Sequence, residues 1–269
     1  MHDLVVNDVR IGYERKTIID SLGFSVAPGK FHTILGPNGS GKSTLLKAIT
    51  GELAHAGHIV LSGLAVGNAT PDTMAQVRGV LPQQSGLSFP LNVAEVVNLG
   101  ILKHSKCHNQ HERQRRISEA LSLVDLGGFE KRVYQTLSGG EQQRVQLARV
   151  LCQVWEPVSN TGRPCWLFLD EPVSSLDIKH QVQIMEVAAD YARRGGGVLA
   201  IMHDLNLTAS YADTVMVLGN GRILASGTVE EVYRDDILSE AFDYKVRVTR
   251  VDGHNAPVVL TAPYQLRQR

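Results

Sequence analysis

The sequence is poor in cysteine, aromatic residues, net charge and long apolar runs, and each shortage excludes something. Three cysteines in 269 residues, Cys107, Cys152 and Cys165, are too few and too odd in number for a disulfide framework, so a reducing compartment is the simplest setting. Lys and Arg total 27, as do Asp and Glu, and this neutral balance argues against a general nucleic-acid binder, which carries a basic excess. The longest apolar stretches, WLFL at 166–169 and VLAIM at 198–202, fall far short of the roughly 20 residues a bilayer demands. The first residues carry Asp3 and Asp8 and no uninterrupted apolar run, so they do not read as a secretory signal, and the expectation is a cytosolic protein. What is present is ordinary for a folded chain: 43% hydrophobic and 20% charged residues, with length enough for one large domain or two coupled lobes.

Loose alternation over 4–13, and similar runs at 17–26 and 58–62, predict strands. FHTIL at 31–35 is a compact apolar strand, and strand-like runs recur at 79–82, 166–170, 198–202 and 214–218 with helical stretches between them. Continuous Val/Ile/Leu runs are what parallel strands covered on both faces look like. The expected class is therefore α/β with an antiparallel beginning. From about 92 to 152 strand signals vanish, and NVAEVVNLGILK, HERQRRISEALSLVDL and GEQQRVQLARVLCQ all have helical spacing. Asn92 and Glu95 make an N-cap pair for the first of these helices. Near the end, KVRVTRV and PVVLT flank Asp252-Gly253 as a hairpin would. No repeat or low-complexity segment is present.

The strongest signal is the run Gly36, Pro37, Asn38, Gly39, Ser40, Gly41, Lys42, Ser43, Thr44 between an expected strand and an expected helix. It fits the G-x-x-x-x-G-K-[ST] phosphate-binding loop, in which glycines let backbone N–H groups curl around phosphates. Lys42 would reach the β- and γ-phosphates and Ser43 would offer its hydroxyl to Mg²⁺. A second signal is the apolar strand ending in Asp170, followed by Glu171 and Pro172. Asp170 at the carboxyl edge of the sheet can hold Mg²⁺ through water, and Glu171 can serve as the general base for the attacking water. The third is Leu137-Ser138-Gly139-Gly140-Glu141-Gln142 ahead of a helix. Ser138 and Glu141 form an S-x-x-E capping box, an ordinary helix start. The same glycine-rich N-terminus also suits an anion such as a γ-phosphate.

These three motifs, in this order, resemble the ATP-binding cassette (ABC) family, the nucleotide-binding subunits of ABC transporters, over about residues 3–235. The resemblance implies a P-loop NTPase with an antiparallel β subdomain and an all-helical subdomain, about 88–152, inserted into a RecA-like core; residues 236–269 would be a C-terminal extension bearing a small β hairpin. It also implies ATP and Mg²⁺ as ligands and adds further site residues. Tyr13 matches the aromatic that stacks on adenine. Gln83 matches the glutamine that senses Mg²⁺ and water, with Gln84 beside it as the alternative register. Asp177, in Ser174-Ser175-Leu176-Asp177, matches the D-loop at the dimer seam, and His203 matches the switch histidine that contacts the γ-phosphate. The family works as a head-to-tail dimer in which each ATP lies between one chain's phosphate loop and the other's LSGGE. The implied partners are thus a second copy, two separate permease subunits and, indirectly, an external cargo-binding protein, with no nucleic acid. The implied place is the cytoplasmic face of the cell membrane.

VLPQQSGLSFPLNVAEVV and the stretch from 200 to 232 resemble ATPases of iron-siderophore, haem and vitamin B12 uptake. The segment QVWEPVSNTGRPC at 153–165 looks like the insertion of haem-importer ATPases, which makes haem the expected cargo and a siderophore or cobalamin the alternative. A soluble ABC ATPase acting on DNA or ribosomes is a different class, disfavoured by a single loop motif and by the short chain distance from Lys42 to Asp170. His104, Cys107, His108 and His111 invite a metal reading, but five basic neighbours point to a solvated surface.

Overall fold

The computed structural model describes residues 3–13, 16–83, 89–102, 107 and 109–261. Strands β1 (Leu4–Tyr13) and β2 (Lys16–Val26) pair antiparallel, and β3 (Phe31–Leu35) leads through the glycine-rich turn into helix α1 (Lys42–Ile49). β4 (Ala56–Leu61) and β5 (Leu64–Ala65) complete a four-stranded antiparallel sheet in the order β2-β1-β4-β5. After α2 (Pro71–Ala75) and β6 (Arg78–Leu81) comes a helical stretch made of α3 (Val93–Asn98), α4 (Gln110–Leu123) and α5 (Gly139–Gln153). The chain then runs through β7 (Trp166–Asp170), α6 (Ile178–Arg193), β8 (Gly197–Ile201), α7 (Leu205–Tyr211), β9 (Thr214–Gly219) and β10 (Arg222–Thr228). It ends with α8 (Val229–Val232), α9 (Asp235–Phe242), β11 (Val246–Thr249) and β12 (Val258–Thr261), the last two paired antiparallel.

The central sheet has six strands in the order β10-β9-β3-β8-β7-β6, with only the β9–β10 pair antiparallel. All five residues of β3, β7 and β8 are buried, because both faces of the sheet are covered. Alternation sends neighbouring side chains to different cores. Trp166, Phe168, Leu199, Ile201 and Ile34 join α1 and the antiparallel sheet in one core, while Leu167, Leu169, Val198 and Ala200 join α5 and α6 in the other. A single strand thereby cements two layers, which is why WLFLD reads as an unbroken apolar run.

Between β6 and β7 the described residues hold helices and isolated bridges but no strand. Asn92 and Glu95 form a reciprocal capping box on α3, as the sequence predicts, and Asn109 with Glu112 forms a second on α4. The expectation of a solvated 104–111 segment holds for exposed His111 but not for Cys107, whose side chain is buried in the core with Ile117 and Leu121. His104 and His108 lie outside the described residues. The 153–165 segment forms a tight turn: the amide N–H of Ser159 donates to the Arg163 carbonyl at 2.7 Å, and that of Cys165 to the Pro157 carbonyl at 2.7 Å. The β11–β12 hairpin docks on α7, where the Asn206 amide both accepts from the Val259 N–H (2.7 Å) and donates to its carbonyl (3.3 Å). No helix among the described residues is long and apolar enough to cross a membrane.

Candidate functional site

Sheet order brings the motifs together. β3, β8, β7 and β6 are parallel neighbours, so the turns that follow them leave from one edge of the sheet. In register, Asp170 lies level with Ile201, and Ile201 lies level with Ile34. The glycine loop, the Asp170-Glu171 corner, His203 and Gln83 are thus neighbours in space although they are scattered along the chain.

The loop after β3 needs glycine at two points. A side chain on Gly36 would place its Cβ 2.0 Å from the Leu218 carbonyl oxygen, so only glycine lets the loop pass β9. Gly41 stands at the start of α1 with φ 103°, left-handed and without any side-chain cap. The first amides of α1 are therefore left for an outside acceptor. Lys42 is buried, and its Nζ donates to the carbonyls of Gly36 (2.8 Å) and Pro37 (2.9 Å). Burial lowers its pKa, with the carboxylates of Glu171 and Asp170 opposing that effect. Ser40 Oγ is buried with no hydrogen-bond partner among the described residues. A loop with an orphaned hydroxyl, uncapped amides and a buried ammonium folded onto its own carbonyls fits a polyphosphate ligand.

Beside it, Ser43 Oγ donates to Asp170 Oδ1 at 3.2 Å. Asp170 is buried, and burial raises its pKa against the lowering influence of the Ser43 bond and of nearby Lys47 and Lys42. A hydroxyl and a carboxylate side by side are hard oxygen donors of the kind Mg²⁺ takes, so these residues fit the ion. The next residue turns sharply. Glu171 adopts φ 52°, and its two carboxylate oxygens are engaged separately, Oε2 by Gln83 Nε2 at 2.7 Å and Oε1 by His203 Nε2 at 2.6 Å. This side chain is 16% exposed and that of His203 39%, so the cluster opens to solvent on the histidine side. Of the two registers open at 83 and 84, the bond to Glu171 belongs to Gln83; Gln84 lies outside the described residues.

Two predicted elements, the Ser138 turn and Asp177, lie outside this carboxylate cluster. Ser138 caps α5 as expected: its hydroxyl accepts from the Glu141 N–H at 3.3 Å and donates to Glu141 Oε2 at 2.8 Å, while the Ser138 N–H donates to the same oxygen at 2.8 Å. These hydrogen bonds lower the pKa of Glu141. Gly139 lines a cleft with Gln83 and Ser174, and Gly140 packs on Leu176, so the turn faces its own chain's 174–176 segment; no hydrogen bond among the described residues joins it to the Lys42 loop. Asp177 is exposed and caps α6 by accepting from the His180 N–H at 3.0 Å, with His180 Nδ1 2.8 Å from the same carboxylate. Tyr13 ends β1, and its side chain lies outside what the structure describes.

One participant escaped the sequence reading. Gln143, in the second turn of α5, donates from Nε2 to the Glu171 carbonyl at 3.2 Å and accepts from the Ser175 hydroxyl through Oε1. Its only sequence signal is its position two residues beyond the capping box.

The model of a family described as "ABC transporter" matches residues 19–174. The chain is 52% identical over 253 residues to the hemin import ATP-binding protein HmuV of Mesorhizobium japonicum, covering 94% of this chain and 96% of that one. It is 48% identical over 255 residues to the protein of that name in Rhizobium johnstonii, covering 95% and 96%. Among solved structures, an ATP-binding subunit of an ABC transporter superposes with a TM-score of 0.77 at 25% identity, covering 88% of this chain and 98% of the other. A dimeric post-hydrolysis ATP-binding cassette bound to ADP and Pi gives 0.73 at 26% identity, covering 84% and 98%.

Proposed function

This chain belongs to the ABC transporter family, and we propose that it is the ATP-hydrolysing subunit of an importer that moves haem through a separate permease. The observation that carries the ATPase reading is the Glu171 carboxylate held between Gln83 and His203, at the strand end that also presents Asp170 to Ser43. Glu171 orients the attacking water and takes its proton. Gln83 and His203 hold that carboxylate between them, and His203 would turn from it to a γ-phosphate. Lys42 exchanges the Gly36 and Pro37 carbonyls for phosphate oxygens, and the amides at the start of α1 add further donors. Bound Mg²⁺, held by Ser43 and Asp170 with Gln83 nearby, would supply neutralisation of the charge on the transferring phosphoryl group.

The functional unit is a head-to-tail pair in which the Ser138–Glu141 turn of one copy closes over the nucleotide of the other. This is supported by a turn that, among the described residues, makes no hydrogen bond to the phosphate loop of its own chain, and by the dimeric, ADP-bound relative of similar fold. Two permease subunits complete the assembly at the cytoplasmic face of the membrane, with an external haem-binding protein delivering cargo. Haem as cargo is supported by about half the residues being shared, over nearly full length, with proteins named for hemin import.

The test has two arms. Purified protein should hydrolyse ATP only with Mg²⁺, and Lys42→Ala and Glu171→Gln should each lower kcat by two or more orders of magnitude, the scale lost when charge stabilisation or the base is removed. Turnover near wild type in Glu171→Gln would show that another group handles the water. Deleting the gene in its host should abolish growth on haem as sole iron source and spare ferric-siderophore and cobalamin use; the reverse pattern moves the cargo to those chelates.

A further inference from the structure

We propose that Gln143 is a positioning residue for hydrolysis: by donating to the Glu171 carbonyl it sets the peptide that aims the catalytic carboxylate, and so makes that aim depend on where α5 stands. The proposal deepens the ATPase reading of this site and rests on it. Glu171 is held at φ 52°, a left-handed conformation that a residue with a Cβ occupies only when its surroundings impose it. Pro172 adds a constraint by disfavouring the right-handed helical alternative at the residue before it.

The restraints on the backbone of Glu171 are few and identifiable. The Glu171 N–H donates to the Ile201 carbonyl at 3.1 Å, tying one side to β8. Its carbonyl accepts from the Ser174 N–H (3.4 Å), the Ser174 hydroxyl (3.3 Å) and Gln143 Nε2 (3.2 Å). Both Ser174 bonds are local to the turn and move with it. Among the described residues, Gln143 is the carbonyl's one hydrogen-bond partner from another element, and that element is the helix whose first residues are Gly139 and Gly140. The other end of the same amide accepts from Ser175, so Gln143 staples α5 to both sides of the 171–175 turn. A shift of α5 relative to the sheet must stretch or shorten these bonds. The carboxylate, one side chain away from the restrained peptide, then swings relative to Gln83 and His203. A nucleotide-dependent closure onto Ser138 is thereby linked to the base through Gln143 rather than through bound nucleotide alone.

Three variants separate the two ends of the amide, measured as Mg²⁺-dependent ATP hydrolysis by the full-length chain with wild type and Glu171→Gln alongside. Gln143→Leu keeps the volume and loses both bonds. Gln143→Glu keeps an acceptor for Ser175 but turns an oxygen toward the Glu171 carbonyl. Gln143→Lys supplies a donor to that carbonyl and no acceptor. The expected result is a fall in kcat on the order of tenfold in Leu and Glu, the loss a single neutral hydrogen bond supports, with partial recovery in Lys. ATP KM and affinity for a fluorescent ATP analogue should stay at wild-type values in all three, with Tm falling by no more than about 4 °C, the scale of one lost hydrogen bond. The proposal is overturned if Gln143→Leu keeps wild-type kcat, if Glu restores turnover and Lys does not, or if kcat falls only in step with Tm or KM. Unimpaired turnover in Glu171→Gln would instead remove Glu171 as the base, the assignment on which this proposal rests, so the two failures are told apart.

Discussion

The molecule contains two glycine-rich helix starts, and they are built in opposite ways. α1 begins after Gly41, which sits at φ 103° and offers no side chain to cap the helix. α5 begins after Ser138, in extended conformation, with its hydroxyl and Glu141 closing a reciprocal capping box. The first start leaves its amides unsatisfied and surrounds them with a buried ammonium and an orphaned hydroxyl. The second satisfies itself and presents a settled surface. In the head-to-tail pair proposed above, a site that holds phosphates on its own would keep its donors open, whereas a turn that meets a nucleotide only when another copy arrives would have to be stable while it waits.

The harshest way to break this contrast is to give the first start the cap of the second. Gly41→Ser forces a Cβ into a left-handed conformation and against Ile18 and Ile19, each 3.3 Å from where that atom would stand. The expected cost is about 1–3 kcal/mol of stability, together with a loss of ATP affinity of at least tenfold. Thermal unfolding and equilibrium nucleotide titration check both, and a variant that binds ATP normally would mean the open cap has no role. The converse change is milder. Ser138→Ala should cost about 1 kcal/mol and Ser138→Gly only a few tenths, because glycine is itself an acceptable N-cap. Urea unfolding of the nucleotide-free protein resolves the two, and equal losses would show that the capping box does not set the stability of α5.

The smallest effect sharpens the picture at α1. Burial raises the pKa of Asp170, so the folded state binds that proton more tightly than the unfolded state does. The carboxylate therefore weakens the nucleotide-free fold at neutral pH, and the penalty is relieved as pH falls through the folded value. Asp170→Asn should raise Tm slightly near neutrality, with a gain that shrinks on acidification, and should reduce the stabilisation that Mg²⁺ and ATP provide together. A Tm difference that is constant with pH would remove the buried carboxylate as its cause.

Much of the site was legible because its chemistry is carried by contiguous residues. The phosphate loop, the Asp170-Glu171 corner and the Ser138–Glu141 box each occupy fewer than about ten positions, and local geometry makes each recognisable. Strands such as FHTIL and WLFLD were legible for the same reason, since burial on both faces leaves an unbroken apolar run. Gln143 was not legible, because nothing about a glutamine on a polar helix turn announces that its partner is a carbonyl 28 positions away. Cys107 was misjudged with its surroundings: five basic neighbours suggest solvent, yet the short thiol side chain packs into the core from an otherwise polar stretch of sequence.

By itself, then, the sequence determined the inventory: a phosphate loop, a strand-end acid pair, a capped glycine turn and the helices and strands between them, all dictated within a few residues by glycine conformations, caps and apolar periodicity. The tertiary structure decided the assembly. The order β3-β8-β7-β6 placed four distant turns on one edge, and only that placement gave Glu171 its two side-chain partners, Gln83 from 88 positions before it and His203 from 32 after. Strand order arises from packing two cores against opposite faces of one sheet, a property of the whole chain that no local window contains.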